Sequence, residues 1–252
     1  MASAATQAAF DSGWNIHTPH LVSNNCGLRS AVANTPLAAL SAEVLQELES
    51  FVSVVDYSPG DILFLEQESL SRVFVVLAGE VKLSLQDISG RRLTFRVAKR
   101  GAILGMHSAL FGSLSECSAE TLYRSRIALI ARVDFVRFAE RHPEAYRIAS
   151  IELIRTLRYA CETLRTVGLS SCVRRRLASQ LLAWGERGNK TGDQTQFRMA
   201  LTHAQIAEFI GAVRETVTRA LTAFKRRGLV TIRGSMLTIP STTALRKYAE
   251  GD

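Results

Sequence analysis

Residues 202–221 read THAQIAEFIGAVRETVTRAL, and this stretch decides the fold of the C-terminal third of the chain. Its apolar residues recur at helical spacing on both sides of Gly211, a residue type that can adopt the positive φ of a tight turn. Ala207 is small at the point where two crossing helices would touch. The stretch therefore predicts a helix-turn-helix with a shared apolar seam formed by Ile206, Ile210, Val217 and Leu221. Val213 and Val217, four residues apart, would both face inward.

The second predicted helix leaves Arg214, Glu215, Thr218 and Arg219 on its outer face. Arginine can bond O6 and N7 of guanine, and glutamate can accept a hydrogen bond from the amino group of cytosine. We therefore predict that these four residues read base edges in the major groove of a half-site that contains G·C pairs. The alternative is an amphipathic helical hairpin whose charged face is simply solvated.

The residues that follow predict a wing. Gly228 can end the second helix, and Gly234-Ser235 joins two short β-rich runs, so the pattern is that of a winged helix-turn-helix. We assign contacts with the DNA backbone, which fix register without reading sequence, to Thr202, Thr216, Lys225, Arg226 and Arg233. For 225–227 the alternative is a solvated, basic helix end that suits the helix dipole.

Charge is concentrated in this part of the chain. Residues 168–252 carry 14 Lys and Arg against 6 Asp and Glu, so they hold the whole net charge of +8, and the rest of the 252-residue chain is neutral. Such asymmetry is typical of a nucleic-acid-binding domain joined to a domain with another role. The length allows two modest domains.

The N-terminal two thirds predict a sheet domain and a long helix. Residues 1–34 show little apolar period and are interpreted as a flexible leader. Residues 35–133 alternate short apolar runs with glycine turns, which favours an antiparallel β-roll large enough to hold a small ligand. Residues 134–168 have helical periodicity, and 169–252 form the winged domain. The predicted fold class is α+β.

The predicted helix carries a stripe typical of a coiled-coil seam, with apolar residues at steps of three and four. The stripe predicts a homodimer, whose two recognition helices would meet a palindromic site about one turn of DNA apart. The alternative is that it packs on the chain's own β-roll. The seam consists of Tyr146, Leu153, Leu157, Leu164 and Val167, with Ser150 and Ala160 between them.

Several classes of protein are disfavoured by the sequence. No apolar run approaches the ~20 residues of a membrane span, and the N-terminus lacks the features of a secretory signal, so we expect a cytoplasmic protein without a membrane partner. Cysteines at positions 26, 117, 161 and 172 have no CxxC spacing, which argues against a zinc site or a disulfide framework. No G-x-S-x-G, H-E-x-x-H or P-loop motif indicates an enzyme.

From about residue 36 onward the chain resembles the family of the cyclic-AMP receptor protein and the fumarate-nitrate reductase regulator. The resemblance rests on YSPGDILF at 57–64, VLAGEVKL at 76–83 and RETVTR at 214–219. It implies that a ligand or cofactor in the β-roll repositions the winged domains across the dimer helix, and that the DNA-bound dimer recruits RNA polymerase, with 188–194 as a contact loop. Arg214, Glu215 and Arg219 would then read a TGTGA-like half-site in double-stranded promoter DNA.

The sensor region departs from the family pattern. The cyclic-AMP branch has a glutamate after its loop glycine and an Arg-Ser pair for the phosphate, whereas this chain has Met106 and Cys117 at those places. A cyclic-nucleotide phosphate would be buried without a cation beside Glu116, which is costly. We therefore expect an unidentified small-molecule effector other than cyclic AMP. By resemblance its pocket would include Gly105, Met106, His107, Ser118, Ala160 and Cys161.

No cofactor or metal site is evident from the residues. The iron-sulfur branch of the family needs closely spaced cysteines, which this chain lacks. The carbon-monoxide-sensing haem regulators resemble Met106-His107-Ser108, which makes His107 a candidate axial haem ligand, although Gly105 replaces their nearby cysteine. The alternatives are a loop histidine that makes hydrogen bonds and a constitutive DNA-binding dimer with no effector.

Overall fold

The computed structural model describes residues 20–23, 36–169 and 172–251. The described chain divides into two compact units. The β-roll unit contains the residues up to Ala160 except 91–94, and the C-terminal unit contains 91–94 and the residues from Cys161 onward. The division therefore falls inside the segment 134–168 that the sequence assigns to one helix.

Among its described residues, the β-roll unit contains nine strands in two sheets, which confirms the predicted roll. A five-stranded sheet has the order β1-β2-β9-β4-β7, and a four-stranded sheet has the order β3-β8-β5-β6. The strands are β1 (His20–Ser23), β2 (Val52–Tyr57), β3 (Ile62–Phe64), β4 (Arg72–Ala78), β5 (Glu80–Gln86), β6 (Arg92–Lys99), β7 (Ile103–Leu104), β8 (Ser118–Thr121) and β9 (Ser125–Ala131).

Two apolar clusters hold this unit together. One lies between the sheets and includes Phe64, Phe74 and Leu83, and the other packs the five-stranded sheet against helices. Strand β4 contributes to both clusters, which explains why its five central residues are all buried and apolar rather than alternating. At the turn after β4, a Cβ on Gly79 would lie 2.2 Å from the Ser125 hydroxyl, and the φ there is +87°, so glycine is required.

The predicted flexible leader is wrong for residues 20–23. His20–Ser23 forms β1 and pairs antiparallel with β2, with His20 opposite Asp56 and Leu21 opposite Val55. The pairing covers an edge of β2 that would otherwise expose unpaired backbone groups. The remaining leader residues lie outside the part of the chain that the structure describes.

The helices between residues 36 and 168 differ from the prediction in one respect. After a 3₁₀ turn at Pro36–Ala39 come α1 (Ala42–Glu49), α2 (Met106–Phe111), α3 (Arg132–Arg141) and α4 (Pro143–Thr163), and a π-helical turn at Leu164–Gly168 follows α4. The single helix expected from residue 134 is therefore interrupted at His142. Pro143 explains the break, because proline lacks the N–H that would continue α3 but is well suited to begin a helix.

The C-terminal unit is a winged helix-turn-helix, as predicted. It consists of α5 (Val173–Gly185), β10 (Asn189–Thr191), β11 (Gln194–Arg198), α6 (His203–Ile210), α7 (Arg214–Arg226), β12 (Thr231–Arg233), β13 (Met236–Ile239) and α8 (Thr242–Glu250). Its sheet has the order β10-β11-β13-β12.

The segment 188–194, expected to be a loop, is mostly a β-hairpin added to the wing sheet. Asp193 in its turn accepts hydrogen bonds from the Ser241, Thr242 and Thr243 hydroxyls and from the Thr243 N–H. These bonds, with that from Ser241 the strongest, hold the pKa of Asp193 below its ordinary value. The hairpin is therefore fixed to the start of α8.

Within the described residues, no helix is both long and apolar enough to cross a membrane.

Candidate nucleic-acid interface

The turn between α6 and α7 has the geometry that the sequence predicts. The Thr202 hydroxyl accepts from the Gln205 N–H at 3.2 Å, and Gln205 Oε1 accepts from the Thr202 N–H at 2.9 Å, so a capping box begins α6. Gly211 has a φ of +57° and ends α6. A Cβ there would lie 2.7 Å from Val167 Cγ1. Val167, predicted in the dimer seam, lies beside this turn.

The apolar seam predicted between α6 and α7 is confirmed at all four of its residues. Ile206, Ile210, Val217 and Leu221 are at most 1% exposed. Val213, predicted to face inward, is 49% exposed. It is the N-cap residue of α7 and has extended backbone, so its side chain is off the helical stripe. The seam fixes which face of α7 points outward.

The predicted base readers all lie on that outward face. Arg214, Glu215, Thr218 and Arg219 are exposed. Within the part of the chain that the structure describes, neither arginine forms an ion pair, so both guanidinium groups are available to a ligand. The Thr218 hydroxyl differs, because it donates to the Arg214 carbonyl at 3.0 Å and contacts His203 Nδ1 at 2.8 Å.

The predicted backbone contacts surround this face. Thr202 uses its hydroxyl in the cap of α6, and Thr216 Oγ1 accepts from Arg219 Nη2 at 3.4 Å. Lys225 and Arg226 are exposed at the end of α7, and Arg233 is exposed on the wing strand β12. An open groove of about 470 Å³ is lined by Thr218, Arg219, Thr222, Ala223, Arg226 and Arg227.

The residues expected to form an effector pocket lie on α2, β8 and α4. Gly105 begins α2 with a φ of +77°, and Met106 is buried in the core against the helices. Ser118 accepts a hydrogen bond from the Glu66 N–H at 2.9 Å and neighbours the other cluster, between the sheets. On α4, Ala160 is half-buried and Cys161 is exposed. Met106 therefore serves packing, because it occupies the inward face of a short amphipathic helix.

His107, next to Met106, is 40% exposed and polar in its contacts. Its Nδ1 lies 2.9 Å from the Ser113 hydroxyl and also contacts the Glu116 carboxylate, and its ring packs 5.2 Å from that of Phe111. Nδ1 is therefore occupied. A ligand such as haem iron would have to approach Nε2.

The β-roll unit contains a buried charged network that was not predicted from the sequence. Arg96 on β6 pairs through Nη2 with Glu152 on α4, donates to the Thr156 hydroxyl and lies 5.5 Å from the centroid of the Tyr159 ring. The side chains of Arg96 and Glu152 are 4% and 2% exposed. The sequence pattern that could have revealed this network is the carboxylate at position 152, which lies in the inward stripe of Ala145, Ile148 and Ala149. A charged group is stable at such a buried position only when it has a partner of opposite charge.

Cys117, which stands where the resemblance places a phosphate-binding arginine, lies close to this network. Burial, with smaller contributions from the Glu116 and Glu66 charges, raises the pKa of its thiol to about 12. The thiol is therefore neutral at physiological pH. A second buried cation, Lys82, lies 3.3 Å from Glu120 and is 1% exposed.

Two family models match the chain over its two units. The cyclic nucleotide-binding domain matches residues 54–142, and the Crp-like helix-turn-helix domain matches residues 175–248. Together they cover the roll and the winged domain in the same order along the chain.

Curated proteins and solved structures agree with this division. The nitrogen fixation regulation protein FixK of Bradyrhizobium diazoefficiens is 27% identical over 83% of this chain and 86% of its own length. The CRP-like cAMP-activated global transcriptional regulator of Mycobacterium tuberculosis is 26% identical over 88% of this chain and 96% of its own. The c-di-GMP responsive global regulator CLP of Xanthomonas campestris has a TM-score of 0.71 at 16% identity, over 80% of this chain and 100% of that one, which shows the fold alone.

These proteins are transcription regulators rather than enzymes. The order of the matched domains, the described fold and the exposed α7 face agree with one another. This chain belongs to the family of DNA-binding transcription regulators that includes the cyclic-AMP receptor protein and the fumarate-nitrate reductase regulator.

Proposed function

We propose that the protein is a dimeric regulator that reads a palindromic, TGTGA-like promoter site in the cytoplasm. The observation that carries the proposal is the outward face of α7, where Arg214, Glu215 and Arg219 are exposed on a helix anchored by a buried seam. Arginine-guanine and glutamate-cytosine contacts are the pairings that such a site offers. The basic groove beside this face suits the phosphates of the same duplex.

The dimer is proposed to form along α4 and the turn after it. Tyr146, Leu157 and Leu164 are 42%, 64% and 67% exposed, which is unusual for large apolar side chains on one helix. Leu153 packs against the core of its own unit, which supports the alternative interpretation for that residue. Ile154, which is 65% exposed, takes its place in the stripe.

The exposed stripe therefore has the spacing 150, 154, 157, 161 and 164, in alternating steps of four and three. That spacing suits a parallel two-stranded contact with a second copy. Leu157→Asp would bury an unpaired carboxylate there and should give monomers in light scattering, whereas Leu85→Asp on β5, an exposed apolar position outside the stripe, should leave the dimer intact. A dimeric Leu157→Asp protein would contradict this interface.

We propose that the effector is a small molecule other than a cyclic nucleotide. The Mycobacterium and Xanthomonas regulators are named for responses to cAMP and c-di-GMP. In this chain the neutral thiol of Cys117 replaces a cation, and the nearby buried cation, Arg96, is paired with Glu152. A phosphate would have to compete with that carboxylate.

The testing experiment is a titration of the full-length protein with a fluorescent duplex carrying the palindrome, against a scrambled duplex, with and without cyclic AMP and cyclic di-GMP. We expect preference for the palindrome and less than a twofold effect of either nucleotide. Equal affinity for both duplexes would refute sequence-specific reading. Strong activation by a nucleotide would refute the assignment of the effector, and tight binding that no metabolite changes would favour the constitutive dimer.

A second candidate is a haem-based gas or redox sensor that uses His107. Its support is the contact of Nδ1 with Glu116 and Ser113, since metal-binding histidines commonly orient themselves by such bonds through the other ring nitrogen. A haem held there would give the β-roll a group that binds a gas or changes its redox state. A Soret band that His107→Ala abolishes would support it, and a colourless protein after haem addition would refute it.

Contact with RNA polymerase is proposed for the β10–β11 hairpin, as the family resemblance implies. The hydrogen bonds of Asp193 fix this hairpin to α8, so its turn presents a defined surface. Substitution of the exposed Lys190 should reduce transcription in vitro without changing DNA affinity. Unchanged transcription would remove the hairpin as a contact.

A further inference from the structure

We propose that His203 is a proton-linked contact with the DNA backbone, an inference that rests on the proposed DNA interface. When α7 docks in the major groove, the imidazole takes up a proton from solvent and its Nε2–H donates to a phosphate oxygen. DNA affinity should therefore rise as the pH falls.

The position of His203 places it at the edge of that interface. It is the first residue of α6, and its Nδ1 lies 2.8 Å from the hydroxyl of Thr218 on the outward face of α7. In a helix-turn-helix the first helix crosses the DNA backbone while the second enters the groove. A side chain at the start of α6 that touches α7 therefore lies where a phosphate would pass.

The hydrogen bonds fix which ring nitrogen carries the proton in the neutral imidazole. The Thr218 hydroxyl has one hydrogen, which it donates to the Arg214 carbonyl at 3.0 Å. To satisfy both contacts, the hydroxyl must accept from His203, so Nδ1 carries the hydrogen. Nε2 of the neutral ring is then an acceptor and repels a phosphate oxygen, whereas Nε2 of the protonated ring is a donor.

The negative charge that would favour proton uptake by His203 comes from the DNA. The elements that pack against α6 carry Arg214, Glu215 and Arg219 on α7 and Arg176 on α5, which donates to the Gly211 carbonyl at 3.2 Å, and α6 itself carries Glu208. None forms an ion pair with His203 among the residues that the structure describes. The phosphates of a docked duplex would place negative charge beside the ring, and negative charge favours the imidazolium.

The same contacts assign Thr218 a positioning role. Its hydroxyl is used within the protein to hold His203 against α7, which leaves Arg214, Glu215 and Arg219 as the base readers. A substitution at Thr218 should therefore reduce the pH dependence of binding.

The test measures affinity of the full-length protein for the palindromic duplex against KCl concentration at pH 6 and at pH 8. For the wild type we expect a steeper plot of log affinity against log salt at pH 6, by about 0.9 for each protonated His203 that neutralises a phosphate. His203→Asn is the matched variant, because its amide can still donate to Thr218 but cannot become a cation. For His203→Asn, the difference between the salt slopes at pH 6 and at pH 8 should be smaller than the wild-type difference by about 0.9 for each His203.

A permanently charged variant completes the test. His203→Arg should bind at pH 8 with the slope that the wild type shows at pH 6. Equal wild-type slopes at both pH values, or a pH difference that His203→Asn retains in full, would overturn the inference while the proposed function stands. Absence of DNA binding at either pH would overturn both.

Discussion

The two units of this protein use charged side chains in opposite ways. In the β-roll unit, Arg96 and Lys82 are buried and each is paired with a carboxylate. In the C-terminal unit, Arg214 and Arg219 are exposed, and no described carboxylate pairs with them. A buried charge must be satisfied within the protein, so it fixes the fold, whereas an exposed cation remains free for phosphates and bases. Arginine thus has a structural role in the β-roll unit, whereas in the C-terminal unit it is exposed on the face where we propose contact with DNA.

The largest expected difference concerns the thiols of the two units. Burial raises the pKa of Cys117 to about 12, whereas the Arg175 backbone N–H lowers that of Cys172. Because the thiolate is the nucleophile, iodoacetamide at pH 8 should modify Cys172 at least about a thousandfold faster than Cys117. Mass spectrometry of the digested protein resolves the two sites. In guanidinium chloride the two rates should become similar, and similar rates in the native protein would contradict this contrast.

Next in size is the loss of the buried ion pair. Glu152→Gln leaves Arg96 charged and buried without its partner, which should lower the free energy of unfolding by about 3–5 kcal/mol. The matched control is Glu80→Gln, which breaks a partly exposed pair with Lys99 and should cost at most about 1 kcal/mol. Urea denaturation measures both. Equal losses of stability in the two variants would contradict the contrast between buried and exposed charges. The double variant Arg96→Met/Glu152→Leu, which has no buried charge at either position, should recover part of the free energy of unfolding that Glu152→Gln loses.

The base readers come third. Arg214→Ala or Arg219→Ala should weaken binding to the palindrome by about 1–3 kcal/mol and relax preference at one base position, with little change in stability because both side chains are exposed. Competition binding with duplexes substituted at single positions measures this effect. If each variant weakened binding to every duplex equally, these arginines would contact the backbone instead.

The smallest effect is expected on the wing. Arg233→Ala should weaken binding to all duplexes by a similar factor and reduce the salt slope by about 1, because its contact is with a phosphate. Anisotropy titrations at several salt concentrations test this. A change in base preference would show that the wing also reads sequence.

Elements with strong local signals were predicted from the sequence. The turn at Gly211, the wing at Gly234 and the strands of the roll all follow from residue spacing and glycine positions, and the structure contains them. One error occurred at the edge of a predicted element, because Val213 fits the apolar period but precedes the helix. Leu153 belongs to the predicted dimer stripe, and it also packs against the core of its own unit.

The sequence by itself determined the order of the two units, the concentration of charge in the second, and the helix-turn-helix with its arginine-rich face. These features depend on local periodicity, turn chemistry and composition, which are present in short segments. The tertiary structure alone decided that β1 pairs with β2, that Arg96 meets Glu152 across 56 positions of sequence, and that Thr218 holds His203. Such contacts join segments distant along the chain, and no local pattern encodes a partner that only folding brings near.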